Sequence, residues 1–117
     1  MFVLATDPTK ETFLVNVTVN FKGDNGKTKP MTYKARFRRV SQEEIDTIDE
    51  EIKNGELDDM GLLNRVMVGW EGVFDEQKQP VEFTPENMNA LMAMFPTRPT
   101  TVNAFFDSIK VAKAKNY

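Results

Sequence analysis

The first forty residues alternate between apolar and polar positions. In FLVNVTVNF, residues 13–21, and again in MTYKARF, residues 31–37, every odd position is apolar. A period of two predicts a β-strand with one buried face. We expect the polar positions of the second strand on the solvent side: Thr32, Lys34, Arg36 and Arg38.

The loop between these strands decides their register. Its sequence, GDNGK, contains an Asn-Gly pair, which usually marks a two-residue turn. Such a turn would place Val19 opposite Thr32 and would set apolar against polar positions along the whole ladder. A three-residue loop, 24–26, with Gly26 in the left-handed region, places Val19 opposite Met31 and is therefore predicted. The same register pairs Val17 with Tyr33, Val15 with Ala35 and Phe13 with Phe37.

Beyond residue 40 the apolar period changes to that of helices. Residues 41–44, SQEE, form a capping-box sequence, and isoleucines follow at helical spacing. Further helix starts are predicted at Asp58 or Asp59 and at Thr84, which Pro85 follows. The apolar side of the second helix is expected to be Leu62, Leu63, Val66 and Met67.

A last helix is predicted after two prolines, Pro96 and Pro99, which we expect to interrupt the chain. Its cationic end is predicted at the lysines that follow residue 109, because cations are favoured at a helix C-terminus. The residues that this helix is expected to bury are Val102, Phe105, Phe106 and Ile109. The lysines are Lys110, Lys113 and Lys115.

These elements predict an α+β fold, with an N-terminal β-hairpin followed by a bundle of about four short α-helices. The 117 residues are the usual size of one domain. We therefore expect a single domain, 1–117, with a β-hairpin region at 1–40 and a helical region at 41–117.

Composition narrows the chemistry. The chain contains neither cysteine nor histidine, which excludes thiolate chemistry, disulfides and histidine-based catalysis by this chain. The acidic run between residues 46 and 51 lacks the glycine and ligand spacing of a calcium loop and is predicted to be solvated surface. We therefore expect no catalytic residues, no metal site and no cofactor, and a protein that is not an enzyme.

The charges are segregated along the chain. Residues 1–40 hold eight Lys or Arg against three Asp or Glu, residues 41–95 hold three against fourteen, and residues 96–117 hold four against one. Solvated faces of one compact domain explain this pattern, because surface ion pairs contribute little. The alternative is contact between copies. Its candidate self-association face comprises Lys34, Arg36, Arg38, Asp49 and Glu50.

The sequence disfavours secretion, membrane insertion and nucleic-acid binding. The start, MFVLATDPTKE, has no basic segment typical of a signal peptide, and no window approaches the length of a membrane span. A soluble, cytoplasmic protein with no membrane partner is expected. The basic strand could bind phosphates, but its aromatic residues lie on the opposite face, and nucleic-acid binding is not expected.

Several segments, in this order, resemble one protein family. They are ATDPTKETFLVNVTV, TYKARFRR leading into SQEEID, LLNRVMVGWEGV, EFTPENMNALMAMFP and TTVNAFFDSI. The chain resembles the tail assembly chaperones of long-tailed, siphophage-type bacteriophages, which are encoded just upstream of the tape measure gene. The resemblance covers most of the chain.

The resemblance implies a binding function without catalysis. Such chaperones coat the long, largely helical tape measure protein in the host cell cytoplasm, recruit tail tube protein and are not retained in the virion. A frameshift-extended form of the chain is a further implied partner, and the protein is expected to form a homo-oligomer. The alternatives are a structural tail or head-tail joining component and a phage regulator that binds nucleic acid.

The single tryptophan, Trp70, lies between Gly69 and Gly72. We predict that the glycines allow a tight turn and that the indole seals the gap between the helices at 62–67 and 88–95. The alternative is an exposed anchor for the client. The candidate partner-binding residues are Trp70, Phe74, Met94, Phe105 and Phe106.

Overall fold

The computed structural model describes residues 1–4, 6–7 and 10–114 of the chain, with side chains described through residue 109. Three strands and four α-helices form within this part, and they confirm the α+β fold. The strands are β1 (Thr12–Lys22), β2 (Thr28–Arg38) and β3 (Met67–Glu71). The helices are α1 (Gln42–Lys53), α2 (Asp59–Val66), α3 (Pro85–Met92) and α4 (Thr97–Ala114).

The hairpin of β1 and β2 has the predicted register. Val19 lies opposite Met31, and Phe13 lies opposite Phe37. The loop is Asp24–Gly26, and Gly26 has a φ of 77°. The hydrophobic alternation therefore selected the longer loop correctly, despite the Asn-Gly pair.

The third strand, β3, differs from the prediction. Met67, expected on the second helix, begins this strand, and Trp70 lies opposite Ala35. Gly69 sits within the strand, opposite Arg36, and Gly72, with a φ of 83°, follows the strand. The predicted tight turn around Trp70 is wrong. The segment is extended instead, because it pairs with the second edge of β2. The region after residue 40 is therefore not wholly helical.

The helix starts are confirmed by their caps. Ser41 Oγ accepts a hydrogen bond of 3.1 Å from the backbone N–H of Glu44. Asp58 Oδ1 accepts one of 2.8 Å from Gly61, and Thr84 Oγ1 accepts one of 3.1 Å from residue 87. Each cap satisfies a backbone donor that has no partner inside the helix.

The second of the two prolines does not interrupt the chain as predicted. Helix α4 begins at Thr97, directly after Pro96, and continues through Pro99. Pro99 lies in the first turn, where backbone N–H groups lack intrahelical partners, so its missing donor costs little. Lys115 and the side chains of Lys110 and Lys113 lie outside the described part, so the predicted cationic end of this helix is not described.

The core lies between one face of the sheet and the helices. Phe37 of the central strand β2 is fully buried, with Phe105 of α4 against it at a ring-centroid distance of 5.1 Å. Helix α4 packs against β1, α2 and α3. The other buried apolar side chains include Val17, Leu62, Leu63, Val66, Met88 and Met92. The opposite face of the hairpin, with Asn16 and Lys34, is exposed as expected.

Candidate functional site

An apolar groove opens beside the sheet and has a volume of about 150 Å³. One wall is the hairpin near its loop, a second is the segment that follows β3, and a third is the end of α3 with the residues just after it. The apolar residues that line it are Val19, Met31, Val73, Phe74, Leu91 and Met94. We call this surface the apolar groove.

Three side chains of the groove are unusually open to solvent. Met31 is 51% exposed, Phe74 is 60% exposed and Met94 is 50% exposed. Single exposed apolar residues are ordinary, but a cluster that lines a concavity is typical of a binding surface. Methionine adds adaptability, since its unbranched side chain fits irregular partners.

The wall that carries Phe74 is built by a short, well-bonded loop. The backbone N–H of Val81 donates to Val73 O at 2.9 Å, and Phe74 forms an isolated bridge with Pro80. Within the loop, Asp75 Oδ1 accepts hydrogen bonds of 2.9 Å from the N–H groups of residues 77 and 79. Phe74 is therefore presented from an ordered support.

The groove also contains an unpaired polar atom. Thr97, which lines it, is 1% exposed, and its Oγ1 has no hydrogen-bond partner within residues 1–4, 6–7 and 10–114. Nearby, Thr101 Oγ1 donates to Thr97 O at 2.8 Å and therefore accepts from the Tyr33 hydroxyl at 2.6 Å. Buried hydroxyls are nearly always paired, so the free Thr97 Oγ1 is unusual.

Of the predicted partner-binding residues, the structure brings Phe74 and Met94 together in the groove. Phe105 is 1% exposed and packs between Phe37 and Phe106, so its ring cannot meet a partner and its assignment is corrected to the core. Phe106 is half-buried against Phe105.

Trp70 is half-buried and has a structural role, although its contacts differ from the prediction. Its Nε1 donates to Val81 O at 2.8 Å, and its ring meets Phe83 edge to face at 5.0 Å. The indole therefore fastens β3 to the chain that leads into α3. It does not line the groove.

Met31 is the groove residue whose exposure the sequence did not predict. Its odd position in the strand predicted burial, like that of Tyr33 and Phe37. Met31 lies near the hairpin loop, where its side chain remains half-exposed. The sequence carried no signal for this exposure, because Val19, directly opposite Met31 and equally near the loop, is only 2% exposed.

Part of the predicted self-association face is occupied by contacts within one copy. Arg38 was expected on the solvent side, but its guanidinium binds both carboxylate oxygens of Glu44, and its Nε donates to Arg65 O at 2.8 Å. These bonds hold the pKa of Glu44 below its ordinary value and raise the pKa of Arg38. Arg38 is therefore corrected from a surface charge to an internal link.

The other four members of that face remain exposed or half-exposed. Arg36 Nη1 donates to Thr12 Oγ1 at 2.9 Å, and the same guanidinium lies 3.8 Å from Glu71. Asp49 lies 3.9 Å from Lys53 one helical turn away. Lys34, on the sheet, and Glu50, on α1, are both exposed. Few free cations remain on β2 for a phosphate-binding surface.

Among the described residues, no group of three acidic side chains is arranged to hold a metal ion. No helix in the described part has the length and apolarity needed to cross a membrane. Comparison with protein-family models, with curated proteins and with solved structures found no match to this chain.

Proposed function

We propose that this chain is a bacteriophage tail assembly chaperone that binds the tape measure protein in the host cell cytoplasm. It keeps this helical client soluble, recruits tail tube protein and leaves before the virion is complete. A frameshift-extended form of the same chain would share the binding domain. The proposal combines the family resemblance of the sequence with one structural observation, the apolar groove.

The exposed methionines and phenylalanine of the groove carry the proposal. A helical client presents apolar side chains three and four residues apart, and such stripes dock into apolar grooves. The volume of about 150 Å³ is comparable to that of a cavity that accepts a benzene ring. We therefore expect one large apolar side chain of the client to enter the groove, with Met31 and Met94 adapting around it.

The test is co-expression with a fragment of the tape measure protein from the same phage. Wild type should keep the fragment soluble and co-purify with it. Met94→Asp places a charge in the groove and should weaken binding by about tenfold or more. Phe95→Asp is the matched control, since Phe95 is 82% exposed and outside the groove. An insoluble fragment with wild type, or equal binding by Met94→Asp, would contradict the proposal.

A structural tail component is the second candidate, and the sheet favours it in one respect. In the strand order β1-β2-β3, the outer edges of β1 and β3 have no strand beside them among the described residues, and unpaired edges can pair with other chains. Mass spectrometry of purified phage particles separates the two functions. A chaperone should be absent from the particles, whereas abundant peptides of this chain would favour the structural component.

A further inference from the structure

Strand β1 forms one edge of the sheet and lacks the features that normally protect an edge. It runs for 11 residues, and its register with β2 is continuous. The stretch TFLVNVTVNF, which is β1 without its last residue, contains neither a charge nor a proline. Natural edge strands are short or carry lysine, proline or a bulge, because an unprotected edge pairs with other chains.

The edge formed by β3 is protected in the ordinary way. β3 has 5 residues, includes Gly69 and ends at Glu71. Its register with β2 shifts between Arg36 and Phe37, where the ladder is irregular. Among the described strands, β1 is therefore the one that presents a long and regular edge to solvent.

Two hydrogen bonds fix which backbone groups of β1 point away from the sheet. Arg39 N donates to Glu11 O at 2.8 Å, and Gly23 N donates to Lys27 O at 2.7 Å, one at each end of the ladder. Since bonded pairs alternate along an antiparallel ladder, the odd-numbered residues of β1 bond to β2. The even-numbered residues direct their N–H and C=O groups outward, and their side chains are exposed. They are Thr12, Leu14, Asn16, Thr18, Asn20 and Lys22.

We infer that two copies of the chain pair antiparallel through the outer edges of β1, around a twofold axis at Val17. In this register each outward residue of one copy meets an outward residue of the other, as Asn16 meets Thr18. The pairing joins two three-stranded sheets into one continuous sheet. Because both copies use the same surface, the contact is isologous and closes as a dimer.

The residues of β1 favour a second copy as the partner. The twofold register aligns odd with odd positions, so the half-buried Phe13 lies beside Phe21 of the second copy on the core side. No like charges face each other within the strands, because Lys22, the one charged residue of β1, faces a threonine. Two residues beyond the strand ends, Lys10 of one copy approaches Asp24 of the other, and opposite charges favour this register.

Paired charge substitutions test this register without any client. Asn16→Lys with Thr18→Lys places four like charges around the twofold axis, and Asn16→Glu with Thr18→Glu does the same with acids. Wild type should dimerise with rising concentration in size-exclusion chromatography with light scattering. Each double variant alone should raise the dissociation constant by about tenfold or more. An equimolar mixture should form a heterodimer, because each introduced lysine then faces an introduced glutamate.

A substitution on the other edge is the matched control. Asn16 and Thr18 are exposed in a single copy, so the double variants should keep the circular dichroism spectrum of wild type. Val68, on β3, is 43% exposed, and Val68→Lys should dimerise as wild type does. Dimerisation that is lost with Val68→Lys and kept by the double variants would place the contact at β3 and overturn the inference.

Amide hydrogen exchange of wild type, followed by NMR, reports the alternation directly. The N–H groups of Val15 and Val17 bond to β2 and should exchange slowly in dilute and concentrated samples alike. The N–H groups of Leu14, Asn16 and Thr18 should exchange fast in dilute samples and about tenfold or more slower in concentrated ones, because only the dimer gives them partners.

Four further outcomes would overturn the inference: a wild type that stays monomeric at high concentration, double variants that dimerise normally, a mixture that forms no heterodimer, or outward amides whose exchange does not slow in the dimer. None of these experiments contains the tape measure protein. Pairing through β1 can therefore fail while client binding succeeds, and the reverse result is equally distinguishable.

Discussion

The hydroxyl of Tyr33 is enclosed in the core and makes one short hydrogen bond. Its partner is Thr101 Oγ1 at 2.6 Å, and Thr101 in turn donates to Thr97 O. Burial raises the pKa of Tyr33 to about 12, because the ionised phenolate would lose its hydration. This polar chain links the central strand β2 to the first turn of α4.

Tyr33 should make the fold sensitive to alkali. Tyr33 ionises near pH 10 when unfolded and at about 12 when folded. Its contribution is fully present below pH 10 and is lost as pH rises toward 12, because the unfolded chain then binds fewer protons. The free energy of unfolding should fall by up to about 1.4 kcal/mol per pH unit over this interval.

The test compares urea denaturation of Tyr117→Phe with that of the double variant Tyr33→Phe, Tyr117→Phe, at pH 7 and at several pH values from 9 to 12. Tyr117 is replaced in both proteins because it is the other tyrosine of the chain. The double variant should lose about 1 kcal/mol at neutral pH and show a shallower alkaline decline. Parallel pH profiles would refute the role of Tyr33.

Helix α1 is held to β2 and α2 by ion pairs. Ile48 is its one fully buried residue. Its carboxylates bind two arginines from other elements: Glu44 with Arg38 of β2, and Glu51 with Arg65 of α2 at 3.1 and 3.3 Å. Bidentate pairs of this type are stronger than simple ion pairs. The attachment of α1 therefore depends on ionised carboxylates.

Glu44→Gln should loosen this attachment. The pKa of Glu44 is lowered in the folded state, so its contribution is present above the ordinary pKa and is lost as pH falls through the folded value. We expect a loss of about 1–2 kcal/mol at pH 7, moderated by the partial exposure of the pair. Near pH 2, wild type and variant should converge in urea denaturation.

Glu43→Gln is the matched control for this substitution. Glu43 lies in the same first helical turn, so its replacement changes the interaction with the helix dipole by a similar amount. Its side chain is exposed. Equal destabilisation by the two substitutions would show that the helix dipole, and not the bond to Arg38, dominates.

At the scale of the whole molecule, the segregated charges meet partly within one copy. Basic residues of the hairpin region pair with acidic residues of later elements, as in Arg38 with Glu44 and Arg36 near Glu71. Arg39 pairs with Glu11 at 3.0 Å within the hairpin region itself. These contacts use charges that were candidates for joining separate copies.

Self-association should therefore resist salt. Raising sodium chloride from about 0.1 to 1 M shortens the screening length from about 10 to 3 Å. Association through apolar surface should keep its dissociation constant within about threefold, whereas a charged interface should weaken strongly. Sedimentation velocity across this range measures the change. Oligomers that dissociate on addition of salt would favour the charged face over apolar contacts.

The sequence by itself determined the features that follow from neighbouring residues. Strict alternation identified β1 and β2, and matching their apolar positions selected the loop and register. Ser41, Asp58 and Thr84 marked helix starts, because each cap bonds backbone only two or three residues away. The fold class followed from these elements. Phe74 and Met94 of the groove were among the chosen residues, although the sequence did not show that they meet.

The tertiary structure alone decided the features that depend on distant residues. The strand β3 forms because residues 67–71 pair with the second edge of β2. The glycines around Trp70 did not indicate this strand. Phe105 is buried because Phe37 faces it across the core, and Arg38 turns inward because Glu44 and Arg65 O converge on it. The groove also depends on residues that are distant in sequence. Its walls come from three separate segments, and their separation in space is set by the packing of the whole chain.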